Sequence, residues 1–527
     1  MEISVFNCIF FSFLIVYLGV TFYVGRGGVS LKDFYVMDQG ASPFLIAGTY
    51  AATWISAVGM VGLTGMSYKT GPLTGILDWA ATIGFVMSTF WIGNKLRRTQ
   101  QVTLGDFFGE RFDSQTLRAV TALITIFGLG AYFVGQIIGS AIVTETLLGI
   151  PYSYMVVVMV VVFMVIALGA GAKSVTITDT IMMLLIVVAL AYVFSPMLIS
   201  TVGIDAFSKF AKEKPDWFTS GGGVYTWGTI VGWQVLWSLG NAANPSAITR
   251  CFLAKNSRTW TKAMILAMMA TFSVIWLTHL AASSVYLVNP NLSNPGAALT
   301  WAAMNVVNPV VGAIAIAGLF GACLSTASTQ ILTLSFSIAR DFYEKIFYKE
   351  ASDAQILRVA RIWIIVFSVL GAAIALYGSS LIVVIGNFGS SIFTCSFFAP
   401  LIFGLNWRKM NKRGAIWAMI VGAAINTGLH FIPLAMGKPF GWSGWLPLGL
   451  HPTIWAAIAS ILTAYFASFG GENTSKALAV YDTCNHVSDE EKASNIQSGS
   501  LTPYIIALVV YTIVQTSLVL WFASKVA

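Results

Sequence analysis

Between Gly321 and Gln330 the chain reads GACLSTASTQ, inside a stretch with no charge between Pro309 and Arg340. Ala322, Ser325, Thr326 and Thr329 recur at i, i+3, i+4 and i+7, so they share one helix face, with Ser328 beside it. A small hard cation needs several oxygen ligands and little bulk around it. A face of hydroxyls with an under-used backbone carbonyl offers both. Any one of these hydroxyls, taken alone, is better read as bonding back to the preceding turn or packing a close helix contact. Four of them together, deep in an apolar stretch, point to an ion site.

Other candidates for chemistry are few. Asp78 lies in GILDWAATIG and Asp179 in VTITDTIMM, both within or at the edge of apolar runs. A carboxylate inside a membrane is a functional candidate by default. Asp179 reads equally well as the N-cap of a helix, and Asp78 as a residue of an outer vestibule. Cys8, Cys251, Cys323, Cys395 and Cys484 form no CxxC or Cys/His pairing, and His279, His430, His451 and His486 are scattered. No disulfide, metal centre or proton relay is assigned to them. No His/Cys/Asp cluster suggests catalysis, so the reading is not an enzyme.

The elements that must carry these residues follow from composition. The chain of 527 residues is 57% hydrophobic and 9% charged, where a soluble protein has about 25% charged residues. Long apolar runs recur throughout, which makes an all-α polytopic membrane protein. About 14 runs reach membrane length, from 3–25 to 503–524. With the first residue outside and the spans alternating, only Lys69, Lys209, Lys212, Lys214, Lys438 and Lys525 face outward, and the other 23 of the 29 basic residues face inward. That asymmetry fits a multi-pass protein of the plasma (inner) membrane with both termini outside. The net charge of +8 is explained by this topology, so no nucleic-acid partner is implied; membrane lipid is, and no obligate protein partner is evident. The first span lacks a basic leader and is expected to be retained. Residues 469–502 read as a polar inner loop and 201–222 as a long outer loop.

Two spans are interrupted. One contains GTYAATWISAVGMVGLTG, rich in Gly with a Trp among hydroxyls; the other contains WQVLWSLGNAANPSAITR, broken by Gly240, two Asn and Pro245. They open two blocks of five spans, 43–200 and 224–404. Interrupted helices at matching positions of two halves point to an inverted repeat with a midplane site, where freed carbonyls and amides serve a solute or ion. Trp54 and Trp237 lie on these spans, as solute covers or as core.

With these residues in hand, the chain resembles the sodium:solute symporter family from the first span through the eleventh. TLGDFFGERF (103–112) is similar to the family's T-(L/I)-x-(E/D)-F-x-x-x-R-F signature. ETLLGIPY (145–152), the TD pair at 178–179, Arg250 and ACLST (322–326) fall where the family has them. ATWISAVGMVGLTGMSYKTG (52–71), with Gln136, looks most like the pantothenate, multivitamin and monocarboxylate branch. The resemblance implies a LeuT-type 5+5 inverted repeat with broken first and sixth core helices. It divides the chain into a leading helix and inner loop (1–42), a first repeat with its outer loop (43–222), a second repeat (223–404) and three additional helices (405–527). Sodium ion is the implied coupling ion. Its first site would use Ala52, Ile55, Ala322, Ser325 and Thr326; a second would use Asp179, Ser325, Ser328 and Thr329. By position, the solute would meet Thr53, Trp54, Ser56, Tyr132, Gln136, Trp237 and Asn241. Two departures stand out: AGA at 170–172 replaces the usual GG-(L/M/F), and Met182 replaces a common Gln. The expected function is sodium-coupled import of a small organic solute by alternating access, a carboxylate such as pantothenate or a monocarboxylate. Sugar or amino-acid symport, or proton coupling through Asp78 or Asp179, are the alternatives.

Overall fold

The computed structural model describes residues 5–25, 37, 40–73, 81–169, 172–219, 221–378 and 382–526. Asp78 lies outside the described residues. The elements, in chain order, are α1 (Val5–Gly25), α2 (Pro43–Trp54), α3 (Val58–Thr70), α4 (Ala81–Met87), α5 (Leu104–Arg111), α6 (Gln115–Leu148) and α7 (Tyr152–Gly169). Next come α8 (Lys173–Val202), α9 (Ile204–Glu213), α10 (Trp227–Ala243), α11 (Pro245–Ile248), α12 (Ser257–Val288), α13 (Ala298–Asn305) and α14 (Pro309–Phe347). The chain ends with α15 (Asp353–Ala375), α16 (Ile382–Asn406), α17 (Lys412–Ala435), α18 (Pro452–Gly470), α19 (Ser475–Asn485), α20 (Asp489–Gln497) and α21 (Thr502–Val526). Among the described residues, ten helices are long and apolar enough to cross a membrane, and the bent pair α2/α3 makes an eleventh span if counted as one.

Short polar residues set the helix starts. Ser42 caps α2 by accepting from the Leu45 amide, with Pro43 in the first turn, and Asn256 caps α12 through the Thr259 amide at 2.8 Å. Asn308 and Pro309 begin α14 in the same way. Gly149, with φ +66°, ends α6 in the left-handed conformation that glycine adopts freely. The fully buried middle of α14 packs against α1, α2, α6, α8 and α15, so its hydroxyl face meets protein on every side.

The two interruptions are real joints. α2 and α3 meet at 52°. Ile55 is extended (φ −79°, ψ 95°), and the Ala57 amide donates to the Gln136 side chain on α6 at 2.8 Å instead of to its own helix. The second joint separates α10 from α11. Pro245 has no amide hydrogen and holds Asn244 out of the helical region, at ψ 119°. The Asn244 side chain then accepts from the Ser246 amide at 3.0 Å and the Ser246 hydroxyl at 2.8 Å.

Two expectations change. The 469–502 stretch is not a plain loop, because it holds α19 and α20. Thr474 and Ser488 cap them, and Asp489, Glu490 and Glu491 favour the positive end of α20. Both helices lie against other connecting segments: Glu491 pairs with Arg97 and, at 2.9 Å, with Arg98, while Asn495 accepts from the Arg258 amide at 2.9 Å. The 201–222 stretch likewise carries α9, and Trp217 after it donates to the Lys69 carbonyl at the end of α3 at 3.2 Å. At the other extreme, none of the apolar window of α21 is buried. A chain of polar contacts ties it to the bundle: Tyr192 to Ser273 (2.6 Å), Ser273 to Tyr511 (2.8 Å), Trp276 to Gln515 (2.6 Å) and Gln515 to Tyr192 (3.1 Å).

Candidate ion and solute site

At the first joint the Ala52 carbonyl has lost its helical partner. It accepts instead from the hydroxyls of Ser325 (3.2 Å) and Thr326 (3.0 Å), and Thr326 also reaches the Ala322 carbonyl at 3.0 Å. Ala52, Ala322, Ser325 and Thr326 are fully buried and Ile55 nearly so. The structure therefore brings the helix break and the hydroxyl face of α14 into contact, with several oxygens converging on a dry spot.

About one turn along α14 lies a second polar cluster. One Asp179 carboxylate oxygen accepts from Thr49 at 2.6 Å and from Thr329 at 3.5 Å, and the other has no hydrogen-bond partner among the described residues. The Arg250 guanidinium donates to the Thr329 hydroxyl at 2.6 Å. Asp179 lies well inside α8 (Lys173–Val202), so it is not an N-cap. Ser328 bonds back to the Ser325 carbonyl at 3.0 Å, the local alternative considered for such hydroxyls. Thr49 was not among the sequence candidates. Its signal was available, since Thr49 and Thr53 stand one turn apart on the interrupted helix. Gly48 permits the contact, because a Cβ there would lie 2.7 Å from the Thr180 backbone on α8.

A small cavity sits between the two joints. Thr53, Trp54, Tyr132, Trp237 and Asn241 line it, joined by Ser390 of α16. As closed here it has room for about one water. The Trp54 and Trp237 rings stand 6.0 Å apart at 68°. The Trp54 indole N–H and both amide atoms of Asn241 are buried without a hydrogen-bond partner among the described residues. Buried polar groups are ordinarily paired, so these three atoms suit an occupant that is exchanged. Ser56 and Gln136 lie apart from the cavity. Ser56 shares a hydrogen bond with the Tyr132 hydroxyl at 2.8 Å, and Gln136 holds the Ala57 amide. Among the described residues, no charged side chain lines the cavity.

A family model described as "Sodium:solute symporter family" matches residues 34–422. Sodium/proline symporter 2 of Staphylococcus saprophyticus is 24% identical over 478 residues, covering 86% of this chain and 91% of that protein. The sodium/pantothenate symporter of Haemophilus influenzae is 25% identical over 429 residues, covering 78% and 88% respectively. Among solved structures, the substrate-bound outward-open state of a Na+-coupled sialic acid symporter superposes with a TM-score of 0.73 at 16% identity, over 90% of this chain and 99% of that one, so the two share a fold. With a family match over most of its length and membrane-length helices throughout, the chain is a multi-pass membrane protein that belongs to the sodium:solute symporter family.

Proposed function

We propose that this chain imports a small organic solute together with sodium, by alternating access about a five-plus-five inverted repeat within about 14 spans. The repeats are 43–222 and 223–404, preceded by 1–42 and followed by the three helices of 405–527. The observation that carries the reading is the Ala52 carbonyl, freed at a helix break and met by Ser325 and Thr326. Sodium bound there would take the carbonyls of Ala52, Ile55 and Ala322 and those two hydroxyls, replacing hydrogen bonds that now join α2 to α14. Asp179, Ser325, Ser328 and Thr329, with Thr49 added, would form a second cation site. Its partial reliance on Arg250 for charge balance makes it the weaker of the two.

Sodium bound between α2 and α14 would favour the arrangement that admits solute at the joints. Linkage requires solute to tighten sodium binding by the same factor. Each charge moved across a 100 mV potential adds about 2.3 kcal/mol to the driving force. Trp54 and Asn241 would meet the solute, with Thr53, Tyr132 and Trp237 shaping the cavity. The favoured solute is a carboxylate of the pantothenate or monocarboxylate kind. An amino acid is the second reading, on the ground that similar chains include sodium/proline symporters.

The test is tracer uptake into proteoliposomes, with pantothenate, short monocarboxylates, proline and galactose, each under inward sodium, inward protons or neither. Sodium-driven uptake of one solute is expected. Uptake driven by protons alone would transfer the coupling to a carboxylate. The absence of any sodium-driven uptake, together with no protection by sodium against heating, would remove the ion sites.

A further inference from the structure

A second, larger cavity of about 680 Å3 opens on the side of α10 and α16 away from the ion site. The loop joining α17 to α18 closes it, and that loop is seated firmly. The His451 amide donates to the Gly228 carbonyl at 3.3 Å, the Gly441 amide to the His430 carbonyl at 3.0 Å, and a Cβ on Gly232 would fall 2.0 Å from that of His451. Tyr225, Trp233, Phe388 and Trp442 give it aromatic walls, and among the described residues no Asp, Glu, Lys or Arg lines it. Lys438 sits 5.4 Å from the ring centroid of Trp442, which disfavours a cationic guest.

Besides the hydroxyls of Tyr225, Thr226, Thr229 and Ser443, which can donate or accept, three polar groups with fixed roles define what the cavity would hold. The side-chain oxygen of Asn387, a residue 7% exposed, has no hydrogen-bond partner among the described residues and needs a donor. His430 Nδ1 lies 2.8 Å from the Asn426 carbonyl, which only accepts, so Nδ1 carries the proton and Nε2 is a bare acceptor. His451 is the reverse: its Nδ1 accepts from the Thr453 amide, which leaves Nε2–H as a donor. Two acceptors, one donor and aromatic walls without charge match a flat, neutral aromatic carboxamide. Its NH2 would serve Asn387 and His430, its carbonyl would accept from His451, and its ring would lie against the aromatic side chains.

We infer that this cavity is a second ligand site, for small neutral aromatic carboxamides, separate from the cavity between the joints. It borders the helices that line that inner cavity: Trp233 is one turn from Trp237 on α10, and Asn387 is three residues from Ser390 on α16. A guest bridging α10, α16 and the loop would restrain them against one another.

The test is equilibrium binding of tritiated nicotinamide to the full-length protein in nanodiscs. Saturable binding is expected in the millimolar range or tighter. Asn387→Leu and Trp442→Leu should each weaken it at least about tenfold, and Asn241→Leu should leave it unchanged. Trp442 is partly exposed on the loop, so its variant carries the test if Asn387→Leu is not recovered as a monodisperse protein. Absence of saturable binding to folded protein overturns the inference. So does binding that survives both outer variants, or that is lost in Asn241→Leu instead. Because the readout is binding and not uptake, its failure leaves the sodium-symport reading untouched.

Discussion

The two helix breaks solve one problem in opposite ways. At Ile55–Ala57 the groups that leave the helix find partners inside the protein: the Ala52 carbonyl takes two hydroxyls from α14, and the Ala57 amide takes Gln136. At Asn244–Pro245 the break is capped locally, but Asn241 one turn earlier has no partner for either amide atom among the described residues, nor has the Trp54 indole N–H. The first joint is a finished set of hydrogen bonds among oxygens that a cation could take over. The second leaves polar groups that an incoming molecule could meet. In the proposed function, ion recognition falls to the first break and solute recognition to the second.

The contrast is broken most forcefully at α14. Thr326→Ala removes a hydroxyl from the Ala52 carbonyl and should abolish sodium-driven uptake, or raise the sodium requirement by more than about tenfold. Sodium activation curves and sodium protection against heating measure it; an unchanged curve would separate the first break from the ion. Asn241→Leu should raise the solute KM by about tenfold while leaving sodium protection intact, since it touches only the second break. A parallel loss of both would erase the division of labour. Thr49→Ala sharpens it further: removing one donor from Asp179 should weaken sodium protection by severalfold, less than Thr326→Ala does. Gln136→Leu leaves the Ala57 amide buried and unpaired, at a cost of about 1–3 kcal/mol. The expected result is a lower melting temperature with little change in sodium or solute affinity.

The smallest effect concerns α19 and α20. Burial alone would raise the Glu491 carboxyl, but Arg97 and Arg98 outweigh it and hold it below the ordinary value. A group depressed on docking stabilises the docked state above its free value, and that stabilisation is lost as pH falls through the docked one. Protection factors across 475–497, exchange rates taken relative to the intrinsic rate at each pH, should therefore be high at neutral pH and fall only as pH drops below the free carboxyl range, about pH 4. Protection that is already lost near neutrality would contradict the pairing.

Much of the inner architecture was legible because membrane burial leaves strong marks. Uncharged runs reveal spans, Pro245 reveals a break, and the i, i+3, i+4, i+7 hydroxyls reveal the face that meets α2. The role of Gln136 was not legible, since a glutamine facing a cavity and one holding a backbone amide look alike in sequence. Thr49 was missed because its value depends on Asp179, which is 130 residues away. Residues 469–502 misled for a related reason. Their polarity is that of a loop, yet caps and charge pairs to distant arginines supply what an apolar face usually would.

The tether of α21 bears on how the protein sits in its bilayer. Lipid gives two apolar helix faces little reason to associate, so α21 is held by specific contacts: the polar chain through Tyr192, Ser273, Trp276, Tyr511 and Gln515 at its middle, the Phe207–Phe522 ring pair near its end, and Lys262 over the Tyr504 ring near its start. A helix pinned at its middle and near both ends does not tilt on its own. A change of bilayer thickness is therefore met by the bundle and its last helix moving together.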